Sequence, residues 1–156
     1  MSARYTYRVA VADSMLIDPI HVSARSLGHP GPEYRVSVNE KIGGSGEEPT
    51  AGDLLLAALA VCKAMSVKSV ACHLGIQITA LEVDVDGDID HRGVLLMPGA
   101  ARAGFETIRC KVRIAVADGT DALALKKLES ASEACCAATD TLRNATPLIT
   151  TFDVRS

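Results

Sequence analysis

Thr50-Ala51-Gly52-Asp53-Leu54-Leu55-Leu56-Ala57-Ala58-Leu59-Ala60-Val61-Cys62-Lys63-Ala64-Met65 is the stretch from which the rest of the chain is read. Its first four residues have the S/T-x-x-D/E form of a capping box, in which the two side chains satisfy the free N–H groups of a starting helix. The spacing predicts a helix from about Ala51 to His73, with Gly75 as its stop signal. Up to Lys63 the helix is apolar almost all round, so burial on most sides is expected. Such a helix calls for a sheet on one side and another helix or a subunit on the other.

Working outward, the region before the helix reads as strands. Tyr5 to Val11 alternates loosely. His21 to Leu27 and Tyr34 to Glu40 flank a Gly- and Pro-rich turn at residues 28–33, the pattern of a hairpin. After the helix come the two most regular signals. In Leu81-Glu82-Val83-Asp84-Val85-Asp86-Gly87-Asp88-Ile89 every second residue is acidic, and in Ile108-Arg109-Cys110-Lys111-Val112-Arg113-Ile114 every second one is basic. Both predict half-buried strands, and antiparallel pairing would set the acidic row beside the basic row on a solvated face. Between them, residues 91–104 read as a long loop with an apolar middle at 94–98. A second helix is expected after Gly119, with Thr120 as its N-cap, running through Leu123, Leu128, Ala131 and Cys135 to about Asn144. Residues 147–154 read as a closing strand.

The chain has 156 residues, nearly half of them apolar, and no linker or repeat divides it, so a single α+β domain over residues 1–156 is expected. The charge balance is mildly acidic, without a basic cluster or a tryptophan, which argues against a nucleic-acid partner. No secretory signal is visible at the N-terminus, and the densest apolar run, Leu54 to Cys62, is about half of the roughly 20 residues a bilayer span needs. The five cysteines form no C-x-x-C pair, which argues against both a secreted disulfide framework and a zinc site. A cytoplasmic, non-membrane protein without metal or cofactor is the expectation, and its cysteines become the chemical question.

Cys62 and Cys136 both lie in helix-like stretches. If the fold joins them, one can attack an oxidant and the other can close the product as a disulfide. If it does not, they are small apolar residues of two buried helices, like Cys72 and Cys110, which are expected in the core. Cys135 and Cys136 are about 100° apart around a helix, so only one of them can face a given partner, and helical geometry leaves the choice open.

Gly43-Gly44, the run Pro49-Thr50-Ala51-Gly52-Asp53-Leu54-Leu55 through Cys62, and Cys136-x-x-x-x-Thr141-Leu142 resemble the marks of the OsmC/Ohr family of hydroperoxide-reducing proteins, GG…P-x-E-L-L-x-A-A-x-A-A-C and C-P-x-x-x-T-L. The similarity runs from about residue 20 to the end. It implies antiparallel sheets with two main helices, assembled as an intertwined homodimer. It also implies reduction of organic hydroperoxides, with re-reduction by a small or lipoyl-type dithiol. On the motif match Cys62 falls on the peroxidatic and Cys136 on the resolving cysteine. The family's catalytic arginine lies on the N-terminal hairpin, where Arg25 is the first choice and Arg35 the second, with Asp53 to orient it.

The chain departs from the pattern in three places. Gly52 stands where better-characterised members carry Glu. Ala137 replaces the Pro after the second cysteine, with an extra Cys135 before it. The glycine-rich run around the arginine is missing. Two functions therefore stand side by side. One is a thiol-dependent peroxidase whose substrate pocket is lined by Leu55, Leu59, Met65 and residues 94–98. The other is a non-peroxidatic protein of the same fold that binds an apolar metabolite at the dimer interface.

Overall fold

A computed structural model describes residues 7–9, 21–26, 33–100 and 102–154, and the side chains of residues 33–100 and 102–154. The chain forms two compact units, residues 1–56 with 87–108 and residues 57–86 with 109–156.

The first unit holds a three-stranded antiparallel sheet, β1 (Tyr7–Val9), β2 (His21–Ser26) and β3 (Tyr34–Ser37), in the order β1-β2-β3. In register, Arg25 lies opposite Arg8, and Ala24 opposite Tyr34. The β2–β3 pairing is that of the expected hairpin; its turn lies largely outside the described residues. Past β3, a 3₁₀ turn at Glu40–Ile42 ends on Gly43, whose φ of 104° is a left-handed conformation suited to glycine. Gly44 has a different constraint: a Cβ there would lie 1.7 Å from the Val38 carbonyl oxygen, so only glycine lets the two backbones approach. Those two needs account for the Gly43-Gly44 pair.

Helix α1 (Ala51–Leu74) starts on the predicted capping box. Asp53 Oδ2 accepts from the Thr50 N–H and hydroxyl, both at 2.8 Å, and the Asp53 N–H donates to Thr50 Oγ1 at 3.2 Å. Gly75, at φ 68°, follows its last turn as expected. The helix is long and apolar enough to cross a membrane by length and composition. Its Val67 and Ala71, however, are centre pieces of a protein core, packed with Ile76 and Leu128 in the second unit. Contrary to expectation, much of its remaining surface is open in the single chain: Val61 and Met65 are about three-fifths exposed (60% and 63%).

Strands β4 (Ile78–Asp88) and β5 (Thr107–Val116) form a second sheet. The Glu106 N–H donates to Asp88 O at one end and the Ala117 N–H to Gln77 O at the other, so the pair is antiparallel. Arg113 Nε reaches Glu82 Oε2 at 2.8 Å and its Nη2 reaches Asp84 at 2.5 Å, while Arg109 Nε donates to Asp86 at 2.6 Å. The acidic and basic rows thus meet on the open face. Leu81, Val112 and Ile114 face the opposite way, against the core.

The connection between β4 and β5 is not all loop. A short helix, α2 (His91–Val94), is capped by Asp90, whose carboxylate accepts from the Arg92 N–H. Val94 at its end and residues 95–97 after it are exposed. Phe105 packs in the first unit against two glycines: a Cβ on Gly87 would meet its ring at 2.7 Å and one on Gly52 at 3.2 Å.

The expected second helix is two helices. α3 (Ala122–Ala134) is capped by Asp121, which accepts from the Ala124 N–H at 2.9 Å, and not by Thr120, whose hydroxyl donates back to the Ala117 carbonyl. The chain breaks at Cys135 and Cys136 before α4 (Ala137–Arg143). Residues 147–154 form no strand: Leu148, Ile149, Phe152 and Val154 are exposed, and among the described residues no strand pairs with them.

Candidate functional site

Cys62 lies at the middle of α1, and Cys136 is the N-cap residue of α4, in extended backbone with φ −77° and ψ 102°. Their sulfurs are 3.6 Å apart, with the Cys136 thiol directed at the Cys62 sulfur. A second donor converges on the same atom, the Ala138 N–H at 3.4 Å. Ala138 is in the first turn of α4, where N–H groups have no partner within the helix. The Cys136 side chain makes no cap hydrogen bond, so the Cys62 sulfur serves as acceptor at this helix end. Cys62 is partly exposed and Cys136 is completely buried.

The break between α3 and α4 also separates the two adjacent cysteines. Cys135 ends α3, is exposed, and directs its thiol at the Ser132 carbonyl, 3.9 Å away. Cys136 alone turns inward to Cys62.

Several groups act on the Cys136 thiol. Burial pushes its pKa up, but the hydroxyl and N–H of Thr139, the Cys62 thiol and the Lys63 ammonium outweigh that and hold it below the ordinary thiol value. Lys63 was not singled out in the sequence as a site residue. Its side chain is only 4% exposed, and its Nζ lies 2.5 Å from Glu133 Oε2. Arg143 of α4 holds the other carboxylate oxygen of Glu133. The hydrogen bond from Lys63 is the main reason that the Glu133 carboxyl lies below its usual range; the charges of Lys63 and Arg143 add to it, and burial opposes it. The one available signal in the sequence was a cation directly after a cysteine at the end of a long apolar run.

The other expectations are placed as follows. Cys72 and Cys110 are exposed and not core residues in this chain; Cys110 shares the face of β5 that carries Val112 and Ile114 but lies where that face is left uncovered. Partial desolvation raises the Cys110 thiol, with the Glu133 and Cys136 charges adding to the rise and Lys63 opposing it. Asp53 holds Thr50 in the capping box. Arg25 belongs to β2, but its side chain lies outside the described residues. Arg35 is exposed, with its Nε 3.4 Å from Glu48. Of the suggested pocket residues, Leu59 is buried, whereas Leu55, Met65 and residues 94–97 are exposed. Among the described residues, no three His, Cys, Asp or Glu side chains gather as metal ligands would.

This architecture has solved counterparts. The chain is similar to an OsmC-like protein from Mycoplasma pneumoniae, with 17% identity, 93% of this chain and 91% of the other covered, and a TM-score of 0.70. It is also similar to an organic hydroperoxide resistance protein from Legionella pneumophila, with 13% identity, 90% of each chain covered and a TM-score of 0.64. A third counterpart is the organic hydroperoxide resistance protein OhrB of Bacillus subtilis, with 15% identity, 92% and 93% covered and a TM-score of 0.55. At such identities the likeness speaks for the fold alone. No curated protein matches the chain by sequence. The OsmC-like protein family model matches residues 44–151, a span that includes the capping box, both cysteine-bearing segments and the sheet between them. On that match, and with the mixed helix and antiparallel-sheet fold of its counterparts, the chain belongs to the OsmC-like family.

Proposed function

We propose that the protein is a thiol-dependent peroxidase that reduces organic hydroperoxides through Cys62 and Cys136. The observation that carries this reading is the 3.6 Å approach of the two sulfurs within one unit. Exposure supports the division of roles. Cys62, partly accessible, meets the peroxide; Cys136, fully buried, waits behind it.

The chemistry consists of two displacements. The Cys62 thiolate attacks one oxygen of the O–O bond, which breaks; the alkoxide takes a proton and leaves as an alcohol, and Cys62 becomes a sulfenic acid. The Cys136 thiolate then attacks the Cys62 sulfur, and hydroxide leaves as water with a second proton. Two thiols have given two electrons, and a disulfide remains. A small or lipoyl-type dithiol restores the thiols by exchange. The lowered Cys136 thiol suits the second step, because only the thiolate is nucleophilic. Arg25, or Arg35 in its stead, is the cation assigned to the peroxide and to Cys62, with Asp53 orienting it.

The working form is a homodimer in the cytoplasm. In support of a partner subunit, Val61, Met65 and the apolar residues of the 148–154 segment are exposed in one chain, and exposed apolar surface marks places where a partner packs. The test is turnover of cumene hydroperoxide with dihydrolipoamide. Activity lost in Cys62→Ser is the expected result, and an unchanged rate in that variant sinks the assignment.

A second reading, a non-peroxidatic protein binding an apolar metabolite at the dimer interface, is favoured by one observation. Where the better-characterised relatives of the resemblance carry Glu, this chain has Gly52 with the Phe105 ring against it. Sustained turnover together with a peroxide-induced Cys62–Cys136 disulfide would exclude it.

A further inference from the structure

A buried lysine beside a redox-type cysteine pair calls for an explanation that stability does not give. Withdrawing an ammonium from water costs about as much as its attraction to a half-exposed carboxylate returns, so such a pair is a poor source of net stability. What distinguishes this one is its position. Lys63 follows Cys62 on α1, Glu133 stands three residues before Cys136 in the last turn of α3, and Arg143 closes α4. The Glu133 carboxylate holds the Lys63 ammonium with one oxygen and the Arg143 guanidinium with the other. Three charged side chains thus tie together the three helices that meet around Cys136.

We propose that the Lys63–Glu133–Arg143 cluster is a positioning device for the Cys62–Cys136 pair: Glu133 anchors the α3–α4 junction to α1, and Lys63, the residue after Cys62, is held by that anchor as a buried positive charge beside the pair. The groups that act on Cys136 are Lys63 and Cys62 from α1 and Thr139 from α4, and Cys110 from β5 feels its charge; Glu133 from α3 and Arg143 from α4 join the surround through Lys63. With all the thiols protonated, the two cations and one carboxylate leave a single positive charge in this surround. The inference deepens the peroxidase reading, on which it rests only for the use to which the thiolate is put.

The experiment involves no peroxide. In protein labelled with ¹³C at the cysteine Cβ, NMR follows the titration of each thiol in the full chain. Lys63→Met should raise the Cys136 midpoint by about half a pH unit or more, as expected on losing a neighbouring opposite charge, and Lys63→Arg should restore most of it. A purely structural lysine would lower the melting temperature without moving that midpoint. An unchanged Cys136 midpoint in folded Lys63→Met overturns the proposal. Should Lys63→Met not fold, Glu133→Gln decides, because its position is half exposed. Diamide oxidises the two thiols to a disulfide by taking two electrons and two protons; measured above both thiol midpoints, where the extra net positive charge of Glu133→Gln no longer changes the thiolate fraction, this reaction should slow severalfold in that variant. An unchanged rate overturns the proposal. Failure of hydroperoxide turnover would leave these results standing, and their failure would leave the peroxidase reading standing.

Discussion

Oxidising the Cys62–Cys136 pair should stabilise the fold by an amount that the chain length between them sets. The two residues are 74 apart in sequence. Closing a loop of that size in the unfolded chain removes entropy worth about 4.4 kcal/mol at 25 °C. Against this stands the native adjustment: the sulfurs must close from 3.6 Å to a bond of about 2.05 Å. Turning one side chain part of the way off its rotamer to do so costs about 0.5–1.5 kcal/mol. The remainder is about 3 kcal/mol, which for a chain of 156 residues corresponds to a rise in melting temperature of roughly 6–12 °C. The assay is differential scanning calorimetry of the oxidised and reduced protein at one fixed concentration, with peptide mapping to prove the Cys62–Cys136 bond. In Cys136→Ser the difference between the two conditions should vanish. An oxidised protein that carries the mapped bond and melts at or below the reduced one would refute the premise that the native fold brings the sulfurs together without distortion.

Three further outcomes follow from the packing and the charges. Leu128, 1% exposed at the centre of the core, should cost about 2–5 kcal/mol when truncated to Ala, read as a lower urea midpoint at unchanged slope; a loss under about 0.5 kcal/mol, the range of an ordinary surface change, would contradict its place in the core. Gly44→Ala sets a Cβ against the Val38 carbonyl and should destabilise by about 1–3 kcal/mol, as overpacking does, so a melt identical to wild type would mean that the loop relaxes freely. Glu133 is depressed below its usual 4.5 in the fold, so its contribution is complete above that value and is lost as pH falls through the lower folded one; Glu133→Gln should flatten that part of the acid denaturation curve, and a curve of unchanged shape would count against the ion cluster.

Helix α1 was legible because its signals are local. Thr50 and Asp53 are the right types at the right spacing to cap each other, and Gly75 supplies the left-handed turn that ends it. Strands β4 and β5 were legible for a similar reason, since alternation of charge survives whatever the rest of the fold does. The junction at Cys136 was not. No Ser, Thr, Asp or Asn stands there to announce a second helix start, because the acceptor for the Ala138 N–H comes from a residue 76 positions away. Thr120 and Asp121 are both good caps, and the choice fell to the one whose neighbour's hydroxyl was already engaged with Ala117. The 147–154 segment has the composition of a strand, but a strand exists only beside another, and a composition does not name the neighbour. Lys63 was seen as the end of an apolar run; its meaning depends on Glu133, 70 residues away.

The sulfur of Cys62 at the start of α4 has one more consequence. A helix of seven residues has little capacity to hold itself in water, so part of what orders it is an atom whose oxidation state can change. If Cys62 cycles as proposed, each oxidation alters the acceptor offered to the Ala138 amide, and that amide becomes a built-in gauge. Its proton resonance and its exchange with solvent would then report the oxidation state of the Cys62 sulfur from a backbone position that takes no part in the proposed chemistry.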